Sequence, residues 1–340
     1  MYQKRQLVFY PQLDTLRGIA VLLVIISHWF SKEHFLNRYS DNGVLGVTLF
    51  FVLSGFLITG ILLNTKGKLD RGGSFAEAFK VFYIRRSLRI FPVYYLLLFV
   101  VLVFNLSAIK DNFWWHFFYG SNFYFWTKGA FAGNLSHLWS LALEEQFYLV
   151  WPAIIFFIQR SFLPYALMTG IVVGIVFRFL IIAPNTQMGR FLLPGSFDSF
   201  CIGGLLVYGR QAQSSFYKIY LKYRGVIVFL SFFLLLFVHF PLIRQLQLDV
   251  YLAIYLFLIS VAFGIQIDRV SDTVTVPIVS VILNNKILLY IGKISYGLYL
   301  FHNLIPYFYG VELSFLPDFL SPYFIQLLRF FLLINPSFLK

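Results

Sequence analysis

Residues 13–30 read LDTLRGIAVLLVIISHWF. The run is close to the ~20 apolar residues that an α-helix needs to cross a bilayer. It nevertheless holds Asp14, Arg17 and His28. Ionisable side chains facing lipid are costly, so inside a span they mark a functional site by default. Arg17 and His28 are eleven positions apart, very nearly three turns at ~3.6 residues per turn. They share one helix face, ~16 Å apart along the axis at ~1.5 Å per residue. Asp14 falls near the same stripe. A helix lining a polar cavity accounts for that stripe; a lipid-facing helix does not.

The rest of the chain fits a membrane setting. Of 340 residues, 59% are hydrophobic and 12% charged, with mean hydropathy +0.78; soluble domains average ~25% charged. Aromatic residues make up 21%, which suits interfacial belts. The expected fold is all-α, a polytopic transmembrane helix bundle of about ten spans. Hydropathy places them at 13–31, 44–63, 84–106, 138–158, 163–183, 197–209, 225–241, 249–267, 287–310 and 319–337. Segment 273–283 (TVTVPIVSVIL) is too short to span alone; it reads either as re-entrant or as the start of a longer ninth helix. No small-residue cleavage site follows the start MYQKRQ, so the first segment is expected to be a retained span. A single integral-membrane domain over 1–340 is expected.

Lys and Arg set the orientation. With the N-terminus inside, eighteen of them fall on cytoplasmic segments and six outside, while Arg17, Arg178 and Arg329 lie within spans. Both termini are then cytoplasmic, in the plasma (inner) membrane. The net charge of +13 follows from this topology and requires no nucleic-acid partner. The single cysteine, Cys201, excludes an intramolecular disulfide and reads as packing in FCIGG. No internal repeat or nucleotide-binding glycine pattern appears, and no His/Cys cluster has zinc spacing, so no metal is expected. Gly72-Gly73 reads as a turn.

Further polar groups interrupt other spans. Arg85, Arg86 and Arg89 in YIRRSLRIFPVYYL (83–96) stand at the inner mouth of the third span and neighbour one another on a helix. They read either as anchors to anionic lipid headgroups or as a phosphate site, since clustered guanidiniums bind phosphate bidentately. In HLWSLALEEQFYLVWP (137–152), His137, Ser140, Glu144 and Tyr148 recur on one helical face. Glu145 is ~100° away from that face, which favours Glu144 as the cavity-facing carboxylate; a purely helix-tying role is the alternative. In KISYGLYLFHN (293–303), Ser295, Tyr299 and His302 share a face, for substrate or for interhelical hydrogen bonds. Ser54, Gly55 and Gly60 in FFVLSGFLITG (50–60) read as close packing. Arg178 and Asp198 are expected to form a buried ion pair, structural rather than catalytic.

Five of these segments, LDTLRGIAVLLVIISHWF, GVTLFFVLSGFLIT, RRSLRIFPVYYL, HLWSLALEEQFYLVWP and ISYGLYLFH, follow one another in the order found in acyltransferase family 3, which the chain resembles over nearly its whole length. The family comprises integral-membrane acyltransferases that O-acetylate bacterial surface glycans and some small molecules. The resemblance implies a ten-helix domain with acyl-CoA, usually acetyl-CoA, as cytoplasmic donor. Arg17 and His28 look like the family's basic residue and the histidine that follows it. Arg85, Arg86 and Arg89 look like its arginine motif, with a CoA-phosphate role, and Glu144 matches its fourth-span glutamate. Some members carry an extracytoplasmic hydrolase-like domain; none is expected within 1–340.

The expected activity is therefore O-acyl transfer from acyl-CoA to a hydroxyl of a glycan or related molecule. His28 is the expected general base, since an imidazole titrates near ~6.5. Glu144 would orient or charge-stabilise it, and Arg17 would stabilise the donor or the developing oxyanion. A covalent acyl-histidine is a variant. Ser140, His137, His302 and Tyr299 are the expected substrate contacts. A transporter or flippase of a glycan or lipid-linked sugar is the alternative, and a non-enzymatic scaffold a further one. The aromatic loop 107–136, with NFWWHFFYGSNFYFW at 112–126, is expected outside, where its rings either stack on sugar faces or form an interfacial belt. An impermeant maleimide applied to intact cells, in a Cys201→Ala background, is expected to label Gly120→Cys and to miss Asp70→Cys. The reverse pattern would invert the topology.

Overall fold

A computed structural model describes residues 10–38, 40–104, 109–131, 135–181, 191–238, 248–271 and 277–304. Among the described residues every regular element is helical. In chain order these are α1 (Pro11–Trp29), α2 (Phe35–Arg38), α3 (Asn42–Leu69), α4 (Phe75–Val103), α5 (Phe113–Phe117), α6 (Ser121–Lys128) and α7 (Leu138–Phe157). They continue with α8 (Leu163–Ile181), α9 (Phe197–Ala212), α10 (Ser215–Val238), α11 (Leu248–Val270), α12 (Pro277–Leu283), α13 (Lys286–Lys293) and α14 (Ser295–Phe301). Among the described residues three helices, α3, α4 and α8, are long and apolar enough to cross a membrane. Of the other expected spans, the first falls on α1, which carries Asp14, Arg17 and His28, and the sixth on α9, which is short at 16 residues. The tenth, 319–337, and Arg329 lie outside the described residues.

Local sequence sets where helices begin. Pro11 sits in the first turn of α1, where its missing N–H leaves no bond unmade. Ser74 caps α4 by accepting from the Glu77 N–H at 3.4 Å, a Ser-x-x-Glu start. That cap lies well before the apolar run, so α4 opens nine residues earlier than the hydropathy boundary at 84. Arg85, Arg86 and Arg89 are consequently in the body of α4 and not at its mouth. The loop between α3 and α4 turns at Gly72, with φ +91°.

The expected ninth span, 287–310, is not one helix over its described part. Asn285 caps α13, its side chain accepting from the Ile287 and Leu288 N–H groups at 2.9 and 3.1 Å. Segment 277–283 is therefore a separate seven-residue helix, not the start of a longer one; residues 273–276 lie outside the described residues. The chain breaks again at Ile294, with φ −99° and ψ 7°. Glycine contacts fix the first half. A Cβ on Gly18 would meet the Leu288 carbonyl, and one on Gly292 the Asp14 carbonyl, so α13 lies directly on the backbone of α1. Past the break, α14 runs against α1 and α4.

The core centres on α3, which packs against α1 and α9. Gly55 faces the Phe200 backbone and Gly203 faces the Val52 carbonyl, with no room for a Cβ at either. Small residues at such a crossing let two helices of a membrane bundle meet backbone to backbone. Cys201 is buried beside Gly170, a packing position. At the α8–α9 boundary Arg178 donates to both oxygens of Asp198 at 2.7 and 2.6 Å and to the Gly195 carbonyl at 2.6 Å. Both side chains are at most 1% exposed. Asp198→Ala would leave the guanidinium buried without its counter-charge, at a cost of ~3–5 kcal/mol. Thermal unfolding in detergent is expected to show a clearly lowered midpoint for this variant, and an unchanged one would remove the pair from the fold's support.

Candidate active site

Helices α1, α3, α4, α7 and α14 surround a cavity of about 90 Å³ that opens outward. Charge enters it from three helices. Arg17 comes from α1, Arg86 and Arg89 from α4, Glu144 and Glu145 from α7. Glu144 accepts a hydrogen bond from Ser54 Oγ of α3 at 2.7 Å, and Ser54 also lies 3.3 Å from Tyr148 Oη. The Arg86 guanidinium stands over the Tyr148 ring at 5.1 Å. Arg17 pairs with Asp14 at 2.6 Å, one turn back on its own helix. Among the described residues, none of the three guanidiniums lies within 4.0 Å of Glu144 or Glu145. The cavity thus holds opposed charges that do not close on each other, an arrangement open to an anionic or polar ligand.

A second, larger recess of about 500 Å³ opens between the end of α3 and the first half of α4. Lys68, Arg85, Arg86 and Arg89 line it, with Glu77 as the carboxylate in the lining. Arg86 and Arg89 line both spaces. They stand on the wall between a basic groove at one end of the bundle and the central cavity.

At the cavity's other end three histidines cluster. Ser140 Oγ and Tyr299 Oη, both facing the cavity, are 2.5 Å apart, and Tyr299 Oη donates to the His137 carbonyl at 3.1 Å. His137 Nε2 is 3.1 Å from the Leu300 carbonyl. A carbonyl only accepts, so Nε2 carries the proton and Nδ1 accepts from Asn303 Nδ2 at 3.0 Å. His302 Nδ1 lies 2.7 Å from the Tyr299 carbonyl and must donate, which leaves its Nε2 as an acceptor. That Nε2 is 3.2 Å from His28 Nδ1, itself 3.0 Å from the Val24 carbonyl. Two acceptors face His28 Nδ1, so the proton sits there. Among the described residues nothing engages its Nε2, on a side chain exposed at the end of α1.

These positions revise several expectations. Glu144 does face the cavity, but it is bonded to Ser54 and not to His28. The partner of His28 is His302. The reason is height: Glu144 lies seven residues along α7 from His137, ~10 Å at ~1.5 Å per residue, while the histidines meet at the His137 end. Glu145 also lines the cavity, because the space wraps round α7 toward α4 and Tyr119. His137 and His302 are buried with both ring nitrogens engaged by protein atoms, so of the four expected substrate contacts Ser140 and Tyr299 remain available. Arg17 lines the cavity; His28 stands beyond its end.

Other residues were not singled out in the sequence. Ser54 read as packing, yet it carries the bond to Glu144. Lys68 belongs to the basic groove. Tyr119, from the aromatic loop, enters the cavity in a left-handed conformation (φ 52°), buried, stacked on Tyr94 at 4.1 Å, with its hydroxyl unpartnered. The Tyr-Gly pair at 119–120 was the available turn signal. His116 in the same loop is buried away from the cavity lining, and burial pulls its imidazole down to about 4. Trp114, Trp115 and Phe118 remain exposed.

Comparison with known proteins fits this layout. Residues 10–337 match a family model described as an acyltransferase domain, that of acyltransferase family 3. The peptidoglycan O-acetyltransferase OatA of Listeria monocytogenes is 31% identical over 324 residues, covering 86% of this chain and 49% of that protein. The putative peptidoglycan O-acetyltransferase YrhL of Bacillus subtilis is 39% identical over 173 residues, 45% of this chain and 25% of that protein. The O-acetyltransferase OatA of Staphylococcus aureus (strain NCTC 8325) is 36% identical over 178 residues, 48% of this chain and 27% of that protein. The chain spans about half the length of the first of these relatives, and the aligned stretch about a quarter of the other two. No solved structure matches the chain.

Proposed function

The chain belongs to acyltransferase family 3, and from that premise we propose that it is a membrane O-acetyltransferase moving an acetyl group from acetyl-CoA to a hydroxyl of a cell-surface glycan. The observation that carries this reading is the pair Arg86 and Arg89, shared between the basic groove and the polar cavity. A donor with a phosphorylated head and a long neutral arm fits such a passage. Its phosphates would lie on Lys68, Arg85 and Arg89, since guanidinium and ammonium groups make charge-assisted bonds to phosphate. The arm would enter the cavity. The names of the relatives, all O-acetyltransferases and two of them assigned to peptidoglycan, support an acetyl group and a glycan acceptor. The basic end of the bundle would face the cytoplasm and the histidine end the outside, by the excess of Lys and Arg.

In this reading His28 Nε2 takes the proton of the acceptor hydroxyl as its oxygen attacks the acyl carbonyl carbon. The C–S bond breaks, and the thiolate leaves and is protonated. The proton position derived above supports the role, because a general base needs a bare, reachable nitrogen. Arg17 lies ~16 Å from His28 along α1, so it would hold charge on the donor and not the oxyanion formed beside His28. Glu144 and Glu145 stand on the cavity wall with the guanidiniums, and Glu144 accepts from Ser54.

His28→Ala is expected to lower acetyl transfer by at least ~10²-fold, the usual worth of a positioned base, while the protein stays monodisperse in detergent. Near-normal turnover would sink the base assignment. Arg89→Ala is expected to weaken acetyl-CoA by ~10- to 150-fold, or ~1.5–3 kcal/mol for a lost charge-assisted contact, with the acceptor KM unmoved. Donor titration against purified protein measures this, and an unchanged affinity returns the cluster to a topological signal.

A further inference from the structure

We propose that His302 is a positioning residue that holds His28 in the form with its proton on Nδ1, keeping Nε2 bare at the surface. The inference rests on His28 being the base, but its geometry stands by itself. His302 is 0% exposed. Its Nδ1–H is committed to the Tyr299 carbonyl at 2.7 Å, so a neutral ring can offer only a lone pair at Nε2, 3.2 Å from His28 Nδ1. A neutral imidazole in water exchanges its proton between both nitrogens. Here the swap to Nε2–H would leave a His28 lone pair facing both the His302 lone pair and the Val24 carbonyl.

The surroundings lock the His302 ring. Its backbone carbonyl accepts from Trp29 Nε1 at 3.0 Å, which ties α14 to the last turn of α1 next to His28. Its ring packs on His137 at 4.8 Å between centroids, and His137 is in turn fixed by Leu300 and Asn303. Three elements, α1, α7 and the end of α14, thus converge on one nitrogen-to-nitrogen contact. His302 is not a proton relay, because its far nitrogen faces a carbonyl that cannot take a proton. When His28 gains a proton at Nε2, the Nδ1–H bond to His302 becomes charge-assisted and shorter-ranged contacts of that kind strengthen. The proton therefore stays on His28 until the leaving thiolate or solvent removes it.

Two variants and one spectrum test this. His302→Leu removes the acceptor and is expected to lower kcat by ~10- to 100-fold, less than the ~10²- to 10⁴-fold that losing the base itself costs, with the KM for acetyl-CoA within about twofold. His302→Gln places an amide oxygen where Nε2 was and is expected to recover most of kcat. Nitrogen-15 NMR of histidine-labelled wild-type protein, with His28 assigned through His28→Ala, is expected to give an Nδ1–H signature that turns into a mixed one in His302→Leu. Full activity in His302→Leu, equal losses in the Leu and Gln variants, or an Nε2–H signature for His28 in the wild type would each overturn the proposal. The spectrum needs no turnover. If the wild type did not use acetyl-CoA at all, the functional reading would fail while the spectrum still decided the role of His302. If His302→Leu did not fold, the Gln variant and the wild-type spectrum would decide it.

Discussion

A charge inside an apolar bundle persists only where protein or water replaces the solvation that lipid cannot supply, and the described part of this protein is arranged around meeting that condition in two different ways. Arg178 and Asp198 meet it by closing on each other, bidentate and buried. Asp268 does so with the hydroxyls of Tyr217 and Tyr220 and the Arg210 guanidinium. Arg86, Arg89, Glu144 and Glu145 do not close on one another, and Arg17 closes only on Asp14 of its own helix. They are spread over the wall of one space, and the cavity itself is what keeps them from lipid. Closed pairs hold helices together; open sets leave charge for a ligand.

Glycine contacts make that space possible. With Gly55 and Gly203 at the α3–α9 crossing and Gly18 and Gly292 at the α1–α13 crossing, backbones touch with no side chain between them. The cavity lining begins beside these crossings, with Arg17 next to Gly18 on α1 and Ser54 next to Gly55 on α3, each ~100° round its helix from the glycine. The break at Ile294 adds to this, because α13 stays on α1 while α14 turns its Tyr299 and His302 toward α7. A continuous ninth helix would carry Gly292 and His302 along one axis and could not serve both contacts.

The two ends of the cavity differ in chemistry. At one, Lys68 and three arginines gather with a single carboxylate in the groove lining. At the other, histidines, Ser140 and Tyr299 form a network of neutral donors and acceptors. In the proposed reaction, a route that is cationic at one end and neutral at the other would suit a donor whose charge is confined to its head and would leave the acceptor a separate approach.

The sequence by itself determined the helical class, the membrane setting and which faces of α1 and α7 are polar, because helical period and hydropathy are properties of one segment at a time. It also marked Arg178 with Asp198, since two opposite charges in adjacent spans have few other ways to be buried. Only the tertiary structure decided what those faces meet. Arg17 and His28 do share a stripe, yet one faces the cavity and the other stands past its end. Glu144 was on the right face and was bonded at a different height, to Ser54 and not to His28. Height is set by where helices cross, and the crossings depend on glycine contacts between segments far apart in the chain. Periodicity along one helix carries no information about that register. The same reason hid Lys68, Tyr119 and the contact between His28 and His302, each of which exists only between elements.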